Sequence, residues 1–291
     1  MSTYIAGCVV QMIELSPPEF YKAEGLFADL VDLHLFATAV FNHDEPGRIY
    51  VDNPEQPTSG FMSTKELQFL AGDPDNQPFN RELKQRLHET ICVGDAPGEK
   101  IEEIDLTFIG DSWQHQLEFF FGDWRWPPIP SRAAHYLWQK DQLEWRVMIP
   151  IGYTIQPLDA RKIQAQPANG MPYAIKPFAE FGQDGFGFCA IYNGRIVSSC
   201  FCDVISKPGC EIGVETHPDH RRRGLATIVT AATVGYALEA GFTDIWWICD
   251  VHNTGSIGTA VKTGFTEQFQ TESTFFILDE AEHRRQTNEH K

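Results

Sequence analysis

The chain has 291 residues, and its hydrophobic fraction of 42% is that of a soluble globular protein long enough for two domains. Its formal net charge of −17 argues against nucleic acid and anionic membranes as partners, because an acidic surface repels both. The same charge favours a cationic ligand.

The start of the chain and its cysteines argue against export. The N-terminus lacks the basic region that precedes the apolar run of a signal peptide, and no apolar segment approaches the roughly twenty residues of a membrane span. Seven cysteines lack the paired spacing of a zinc site or a disulfide framework, and Cys200 and Cys202 are expected on one face of a strand. We therefore expect a cytoplasmic protein.

Residues 1–150 are predicted to form an α+β domain. Helices are predicted at Pro17–Phe36, Lys65–Leu70 and Asn80–Thr90, and strands at Gly47–Asp52, Ser59–Met62 and Ile104–Ile109. The aromatic run Phe119–Trp126, which precedes three prolines, is interpreted as the joint between the two halves, with its rings used for packing.

The second half opens with a strand pair. Tyr153–Pro157 is predicted to be a strand, and Leu158–Gln166 the start of a helical region. The runs Gly187–Tyr192 and Arg195–Cys202 resemble strands joined by Asn193-Gly194, which is the strongest short signal for a β-hairpin.

A strand, a helix and a second strand follow. Glu211–Thr216 alternates carboxylate and apolar side chains, Leu225–Ala240 has a helical apolar pattern ended by Gly241, and Ile245–Cys249 is apolar throughout. A right-handed crossover would make the two strands parallel neighbours. The loop between them would then lie at their carboxyl ends, where α/β sheets bind ligands. Thr274–Leu278 is predicted as a closing strand, followed by a charged end.

Three arginines crowd the first turn of this helix. A helix N-terminus already carries about half a positive charge, so cations there are unfavourable unless an anion lies between them. Free N–H groups could donate to a phosphate, and Gly224 lacks the bulk that would keep a diphosphate off the main chain. A solvated basic cluster is the alternative. The predicted contacts to the diphosphate are Arg221, Arg222, Arg223, Gly224, Leu225 and Ala226.

Two motifs carry a family resemblance. Arg221-Arg-Arg-Gly-Leu-Ala226 fits the pattern Gln/Arg-x-x-Gly-x-Gly/Ala, and Asn253–Phe265 fits Asn-x-x-Ser-x-x-x-x-x-Lys-x-Gly-Phe. Residues 151–278 thereby resemble the GCN5-related N-acetyltransferases (GNAT). The resemblance implies an α/β (α+β) fold with a mixed, mostly antiparallel twisted sheet flanked by helices. It also implies an acetyl-CoA-binding domain at 151–291, preceded by a domain at 1–150 that is either unrelated or a degenerate GNAT-like copy.

The resemblance further implies transfer of an acetyl group from acetyl-CoA to a primary amine by direct attack. The thioester carbonyl would be held by main-chain N–H groups of Val214, Glu215 and Thr216. A carboxylate must first take a proton from the ammonium, and Glu211 and Glu215 share one strand face about 13 Å apart at ~3.3 Å per residue. Spacing from the arginine loop favours Glu211, with Asp250 as a third candidate.

The second motif departs from the family at one position. Asn253 and Ser256 are expected to anchor the turn into the next helix and to reach the pantetheine arm. Many relatives have a tyrosine that protonates the departing thiolate where this chain has Ala260. The acid is therefore unassigned, with water or Ser256 as alternatives, and a non-catalytic acetyl-CoA-binding sensor or interaction module is the alternative function.

Other partners are less constrained. We expect a cationic small-molecule or peptidyl amine as acceptor, and the sequence leaves a homodimer open. A metal site is the less favoured interpretation of the histidines and aspartates near the loop, since histidines in such positions are more often surface residues. The side chains that could form it are His217, Asp219, His220, Asp250 and His252.

Overall fold

The computed structural model describes residues 12–64, 67–93, 103–139, 142–158, 185–277, 280, 283, 284 and 287. The helical region predicted at Leu158–Gln166 and the charged end at Asp279–Lys291 lie almost wholly outside these residues. The chain divides into two compact units, of which the first is Met1–Arg132 with Glu272–Lys291 and the second is Ala133–Thr271. The division into functional domains at residue 150 stays a prediction.

The first unit contains a mixed sheet with helices. Its strands are β1 (Ile13–Glu14), β2 (Arg48–Val51), β3 (Ser59–Ser63), β4 (Leu67–Gly72) and β5 (Glu103–Thr107). Its helices are α1 (Glu24–Leu33), α2 (Leu35–Phe41), α3 (Gln77–Val93) and α4 (Leu117–Phe121), with 3-10 helices at Pro17–Ala23 and Gln114–Gln116. Strands β1 to β4 pair in antiparallel sequence, and β4 pairs with β5 in parallel.

The remaining strands are β6 (Ile129–Trp138), β7 (Tyr153–Pro157), β8 (Gly187–Tyr192), β9 (Arg195–Ser206), β10 (Gly209–Thr216), β11 (Asp244–Asp250) and β12 (Phe265–Ile277). The helices are α5 (Leu225–Glu239) and α6 (Thr254–Thr263), with 3-10 helices at Trp145–Met148 and Pro218–His220. In the second unit β7 to β10 pair in antiparallel sequence, β10 pairs with β11 in parallel, and β11 pairs with β6 antiparallel. This confirms the predicted mixed, mostly antiparallel sheet with flanking helices and the parallel neighbours on either side of α5.

One strand arrangement occurs twice. Four antiparallel strands, then a helix, then a parallel strand describe β1 to β5 with α3, and the same description fits β7 to β11 with α5. The loop before α3 carries Asp73 and Asp75, whereas the loop before α5 carries arginines. The hypothesis of a degenerate first copy stays a prediction, and this repetition favours it.

Three elements differ from the sequence predictions. The helix predicted at Lys65–Leu70 is wrong, because Leu67–Gly72 is a strand that pairs with β3 and β5. Its central residues, 68–71, are all buried, so pairing and burial override the helical propensity. Strand β6 was not predicted. Strand β12 begins at Phe265 rather than Thr274, and its last residues pair with β5.

Helix α5 is the centre of the second unit's core. Most of its residues are buried, including Leu225, Val229 and Ala237, and they pack in one cluster with the cysteines of β9 and β10. Cys200 and Cys202 lie on this one face, as predicted, and are at most 1% exposed. Where the structure is described, no helix is both long and apolar enough to cross a membrane.

Candidate active site

The N-terminus of α5 offers unpartnered main-chain donors. The residue that precedes the helix is Gly224, whose φ of 78° is left-handed and favours glycine. The first four N–H groups of a helix have no partner within it, and glycine brings no side chain to cap them. A Cβ placed on Gly224 would meet no atom within 4 Å, so the space in front of these amides is open. Leu225 is buried and Ala226 is partly exposed.

The three arginines of the loop have different roles. Arg221 Nε donates to the Thr216 carbonyl at 3.1 Å. Arg223 donates to the Tyr153 hydroxyl at 2.9 Å and to the Asp219 carbonyl at 3.2 Å. Arg222 is exposed, and in the described part of the chain its side chain makes no hydrogen bond or ion pair. Arg222 is therefore the guanidinium most available to an anion.

Tyr153 on β7 fixes the loop. Its hydroxyl contacts His220 Nδ1 at 2.8 Å as well as Arg223, and its ring lies 4.9 Å from that of Tyr192. Burial, followed by the nearby Arg223 charge, lowers the pKa of His220. From the sequence Tyr153 is recognisable only as part of a strand, because no local feature indicates its contacts with His220 and Arg223.

A slot opens between β10 and β11. The two strands pair only from Gly209 opposite Asp244 to Glu211 opposite Trp246. Beyond that point β10 continues along β9 as far as Thr216, and β11 continues along β6 as far as Asp250. Because all these residues are described and no later pair joins the two strands, their carboxyl-terminal halves part and leave main-chain groups of β10 facing the slot.

The amides that face the slot can be assigned from the strand pattern. The His217 N–H donates to the Val197 carbonyl of β9 at 2.9 Å. Because hydrogen-bonded and non-hydrogen-bonded positions alternate along an antiparallel pair, the Glu215 N–H also points to β9. The N–H groups of Val214 and Thr216 point away from β9, toward the slot. Of the three predicted carbonyl donors, only the N–H groups of Val214 and Thr216 face the slot, and their contact with a carbonyl stays a prediction.

Two faces of the sheet flank the slot. Alternate residues of β10 and β11, such as Ile212 and Trp247, belong to the core under α5. The other set forms the face that we name the carboxylate face, which consists of Glu211, Gly213, Glu215, Trp246, Ile248 and Asp250. Glu211 is only 8% exposed and occupies the last paired position, where the strands begin to part. Glu215 and Asp250 are partly exposed.

The turn after β11 organises the second motif. Asp250 Oδ1 accepts a hydrogen bond from the His252 N–H at 2.7 Å. Asn253 Oδ1 accepts from the Ser256 N–H at 3.0 Å and caps α6, as predicted. Trp247 Nε1 donates to Ser256 Oγ at 3.0 Å, so the serine hydroxyl is held beside β11. Cys249 shares this environment, and burial raises the pKa of its thiol.

Ala260 lies in the core and is fully buried. Tyr136 on β6 belongs to the same core cluster as Ala260, and its hydroxyl donates to Glu267 Oε2 at 3.2 Å. Burial and the Glu267 carboxylate raise the pKa of Tyr136 to about 12. The hydroxyl proton of Tyr136 is directed to Glu267, which leaves the acid that protonates the thiolate unassigned.

The histidines and aspartates near the loop are not arranged for a metal. His217 Nδ1 lies 3.9 Å from Asp219 Oδ2, and the rings of His217 and His220 are 5.8 Å apart. Among the residues that the structure describes, no group of three or more His, Cys, Asp or Glu side chains is placed to hold a metal ion.

His135 on β6 is a buried histidine that the sequence analysis missed. It is 1% exposed, its ring stacks on Phe269 at 4.5 Å, and its Nε2 contacts Thr271 Oγ1 at 2.7 Å. Burial lowers the pKa of His135 to about 4, so the folded protein holds it neutral. The local sequence gives no signal for this, because the ring partner lies far along the chain.

This burial predicts an acid-dependent loss of stability. Between about pH 6.5 and pH 4 the unfolded state binds a proton at His135 that the folded state does not, so the free energy of unfolding falls as pH falls. The contribution across that window is about 3 kcal/mol. Chemical denaturation at pH 7 and pH 4 should show a correspondingly weaker pH dependence in His135→Asn. An unchanged dependence would contradict the prediction, and the exposed His252→Asn serves as control.

Taken together, a helix N-terminus with open main-chain donors, a slot between parting parallel strands and carboxylates beside it define an α/β protein with a candidate ligand site at its strand ends. The profile of one protein family, described as GNAT acetyltransferase, matches residues 24–273. The chain therefore belongs to the GNAT acetyltransferase family. The match extends well beyond residues 151–278, over which the motifs indicated it.

Individual relatives agree with this assignment. An uncharacterized N-acetyltransferase of Bacillus subtilis strain 168, YdfB, is 24% identical over 87% of this chain and 94% of its own length. A GCN5-related N-acetyltransferase-like protein from Streptococcus suis is 20% identical, with a TM-score of 0.61 over 88% of this chain and 98% of that one. A GCN5-related N-acetyltransferase from Sphaerobacter thermophilus is 13% identical, with a TM-score of 0.58 over 92% and 96%. These two structures share the fold.

Proposed function

We propose that the protein is an acetyl-CoA-dependent N-acetyltransferase that acts on a primary amine. The observation that carries the proposal is the parting of β10 and β11 directly beside the open N-terminus of α5. An acyl-nucleotide requires both features, because its diphosphate needs anion donors and its thioester needs main-chain N–H groups at a strand edge.

The residues present fit acetyl-CoA, which the family generally uses. The amides of Gly224, Leu225 and Ala226 would hold the diphosphate, and Gly224 leaves the space in front of them open. The Val214 N–H, with Thr216 beyond it, would donate to the thioester oxygen, and Asn253 and Ser256 at the start of α6 would contact the pantetheine arm. When bound, the thioester supplies the activated acetyl group.

Glu211 is the proposed base. An ammonium cannot attack a carbonyl, so a carboxylate must first take its proton, directly or through water. Glu211 is largely buried at the point where the strands part, whereas Glu215 lies about 13 Å further along the strand at ~3.3 Å per residue. The nitrogen then forms a bond to the carbonyl carbon, negative charge on the oxygen is stabilised by the Val214 N–H, and the carbon–sulfur bond breaks. The nitrogen loses its second proton to water as the amide forms, and Ser256 or water gives a proton to the thiolate, which leaves as the free thiol.

The net charge of −17 supports a cationic acceptor. The cytoplasm is the compartment we propose, since the five cysteines whose side chains the structure describes are free and thiols persist in a reducing compartment.

A non-catalytic coenzyme A binder is the second candidate. One observation favours it, namely that Ala260 occupies the position of the family's thiolate-protonating tyrosine. The two functions separate in one assay, in which purified protein and acetyl-CoA are offered a panel of amines and free thiol is measured. The enzyme releases thiol only when a suitable amine is present, whereas a binder retains acetyl-CoA without release.

Arg222 provides a test of the diphosphate site. Its φ of 58° costs alanine about as much as arginine, so Arg222→Ala removes the guanidinium without changing the backbone requirement. We expect about a tenfold loss of affinity for coenzyme A, since hydrogen bonds to charged groups contribute about 1.5–3 kcal/mol. Calorimetry should show no loss for pantetheine, which lacks the diphosphate. Equal losses for both ligands would indicate general destabilisation.

A further inference from the structure

The carboxylate face has an apolar and aromatic side that the proposed chemistry does not use. Trp246 lies in register beside Glu211, and Ile248 follows it on β11. The ring of Phe269, from β12, lies 6.1 Å from that of Trp246. All three side chains are partly exposed, although each is large and apolar.

The aromatic part of this face is held in place by His135 on β6, which is the register partner of Ile248 and so lies on the same face of the sheet. His135 is buried, stacks on Phe269 with an interplanar angle of 23°, and contacts Thr271. Because burial lowers the pKa of His135 to about 4, its ring is neutral near pH 7 and does not repel a cation nearby. A fixed ring loses little conformational entropy when it contacts a ligand.

Among the residues that the structure describes, the register neighbours of Glu211 offer no second carboxylate to another ammonium. Its register neighbours are Trp246 on β11 and the buried Val204 on β9. Asp250 already accepts a hydrogen bond from the turn that follows β11. Glu215 lies about 13 Å along the strand at ~3.3 Å per residue. A substrate nitrogen at Glu211 would therefore have its carbon body against aromatic and aliphatic surface.

Aromatic rings suit such a ligand in two ways. They attract an ammonium over their faces, and they remove apolar area of the ligand from water. From this juxtaposition of Glu211 with Trp246, Ile248 and Phe269 we infer that the acceptor is a monoamine whose primary nitrogen stands a few carbons from an aromatic or bulky apolar group. This inference rests on the proposed function, because it places the nitrogen at the proposed base.

The test compares amines that each carry a primary amino group but differ in the rest of the molecule, which is aromatic, short or polycationic. In the thiol-release assay, phenethylamine should have a kcat/KM at least tenfold above those of ethylamine and spermidine. Trp246→Ala and Phe269→Ala should each lower kcat/KM for phenethylamine about tenfold and change that for ethylamine less than twofold. Trp246→Phe should restore most of the loss. Tyr21→Ala, which removes a ring that is 67% exposed elsewhere, should change neither.

The outcomes separate the inference from the function. If spermidine is the better substrate, or if the variants affect both monoamines equally, the inference is wrong while the function stands. If no amine releases thiol, the proposed function fails. Calorimetry in the presence of coenzyme A then still tests the inference, which predicts a higher affinity for phenethylamine than for spermidine. Unchanged coenzyme A affinity identifies folded variants, and the comparison of substrates on the unaltered protein needs no variant.

Discussion

Glu211→Gln is expected to lower kcat by about 100-fold or more while acetyl-CoA affinity changes less than twofold. A positioned general base contributes about 10²–10⁴ to a rate, and glutamine keeps the volume of the side chain but cannot take a proton. Glu211 is 8% exposed at the end of the parallel pairing, so an isosteric replacement is the least disruptive change there. The rate should be measured by thiol release at saturating acetyl-CoA, and the affinity by calorimetry.

Glu215→Gln is the matched comparison, since it removes the same charge from the same strand face. It should leave kcat within about threefold of the unaltered protein. Glu215 lies on the same strand face as Glu211 but about 13 Å further along β10 at ~3.3 Å per residue, too far to take a proton at the same centre. If Glu215→Gln carries the loss instead, the two residues exchange roles. If neither variant is impaired, the base does not lie on β10.

The second large effect is expected from Gly224→Glu, which should weaken acetyl-CoA binding by more than 100-fold. A glutamate there places a carboxylate in front of the amides that we assign to the diphosphate, and it repels that anion as well as blocking it. Space is not the obstacle in the ligand-free protein, because a Cβ on Gly224 meets no atom within 4 Å. The fold should therefore persist, at a cost of about 1 kcal/mol for the positive φ.

Gly241→Glu provides the control for Gly224→Glu. Gly241 follows the other end of α5, its φ of 90° is also positive, and its Cβ would likewise meet no atom within 4 Å. The substitution introduces the same charge and a similar backbone strain away from the proposed site. Thermal unfolding should show both variants folded, and only Gly224→Glu should lose affinity. Equal acetyl-CoA affinity in the two variants would show that the diphosphate does not bind at the N-terminus of α5.

The parts of the site that the sequence predicted are those encoded locally. The arginine loop, the helix stop at Gly241 and the Asn193-Gly194 hairpin each depend on residues within one turn or one helix. The cap formed by Asn253 has the same local character. For the helix stop, the hairpin and the cap, a few neighbouring residues determine the backbone, and the structure agrees with the predictions. The three arginines precede α5, which begins at Leu225, rather than lying in its first turn, and their role in binding an anion stays a prediction.

The parts that the sequence did not predict depend on distant partners. Strand β6 contains Pro130 and several small residues, which obscure its alternation, and it becomes a strand through pairing with β11. Strand β4 has a helical sequence that pairing with β3 and β5 overrides. The contact of Tyr153 with Arg223 and the stack of His135 on Phe269 likewise arise only in the folded chain.

Trp246 and Trp247 are adjacent in a strand, so their side chains must point to opposite faces. Trp247 is 2% exposed in the core, and Trp246 is partly exposed on the carboxylate face beside Glu211. When two large aromatic residues are adjacent in a strand that packs on the core, one ring enters the core and the other must lie on the opposite face.

A crystal structure of the protein with acetyl-CoA is the most direct test of the central claim. We expect diphosphate oxygens within about 3 Å of the N–H groups of Gly224, Leu225 and Ala226, and the thioester oxygen at the same distance from the Val214 N–H. Acetyl-CoA bound elsewhere, or a diphosphate held by side chains away from the start of α5, would contradict it.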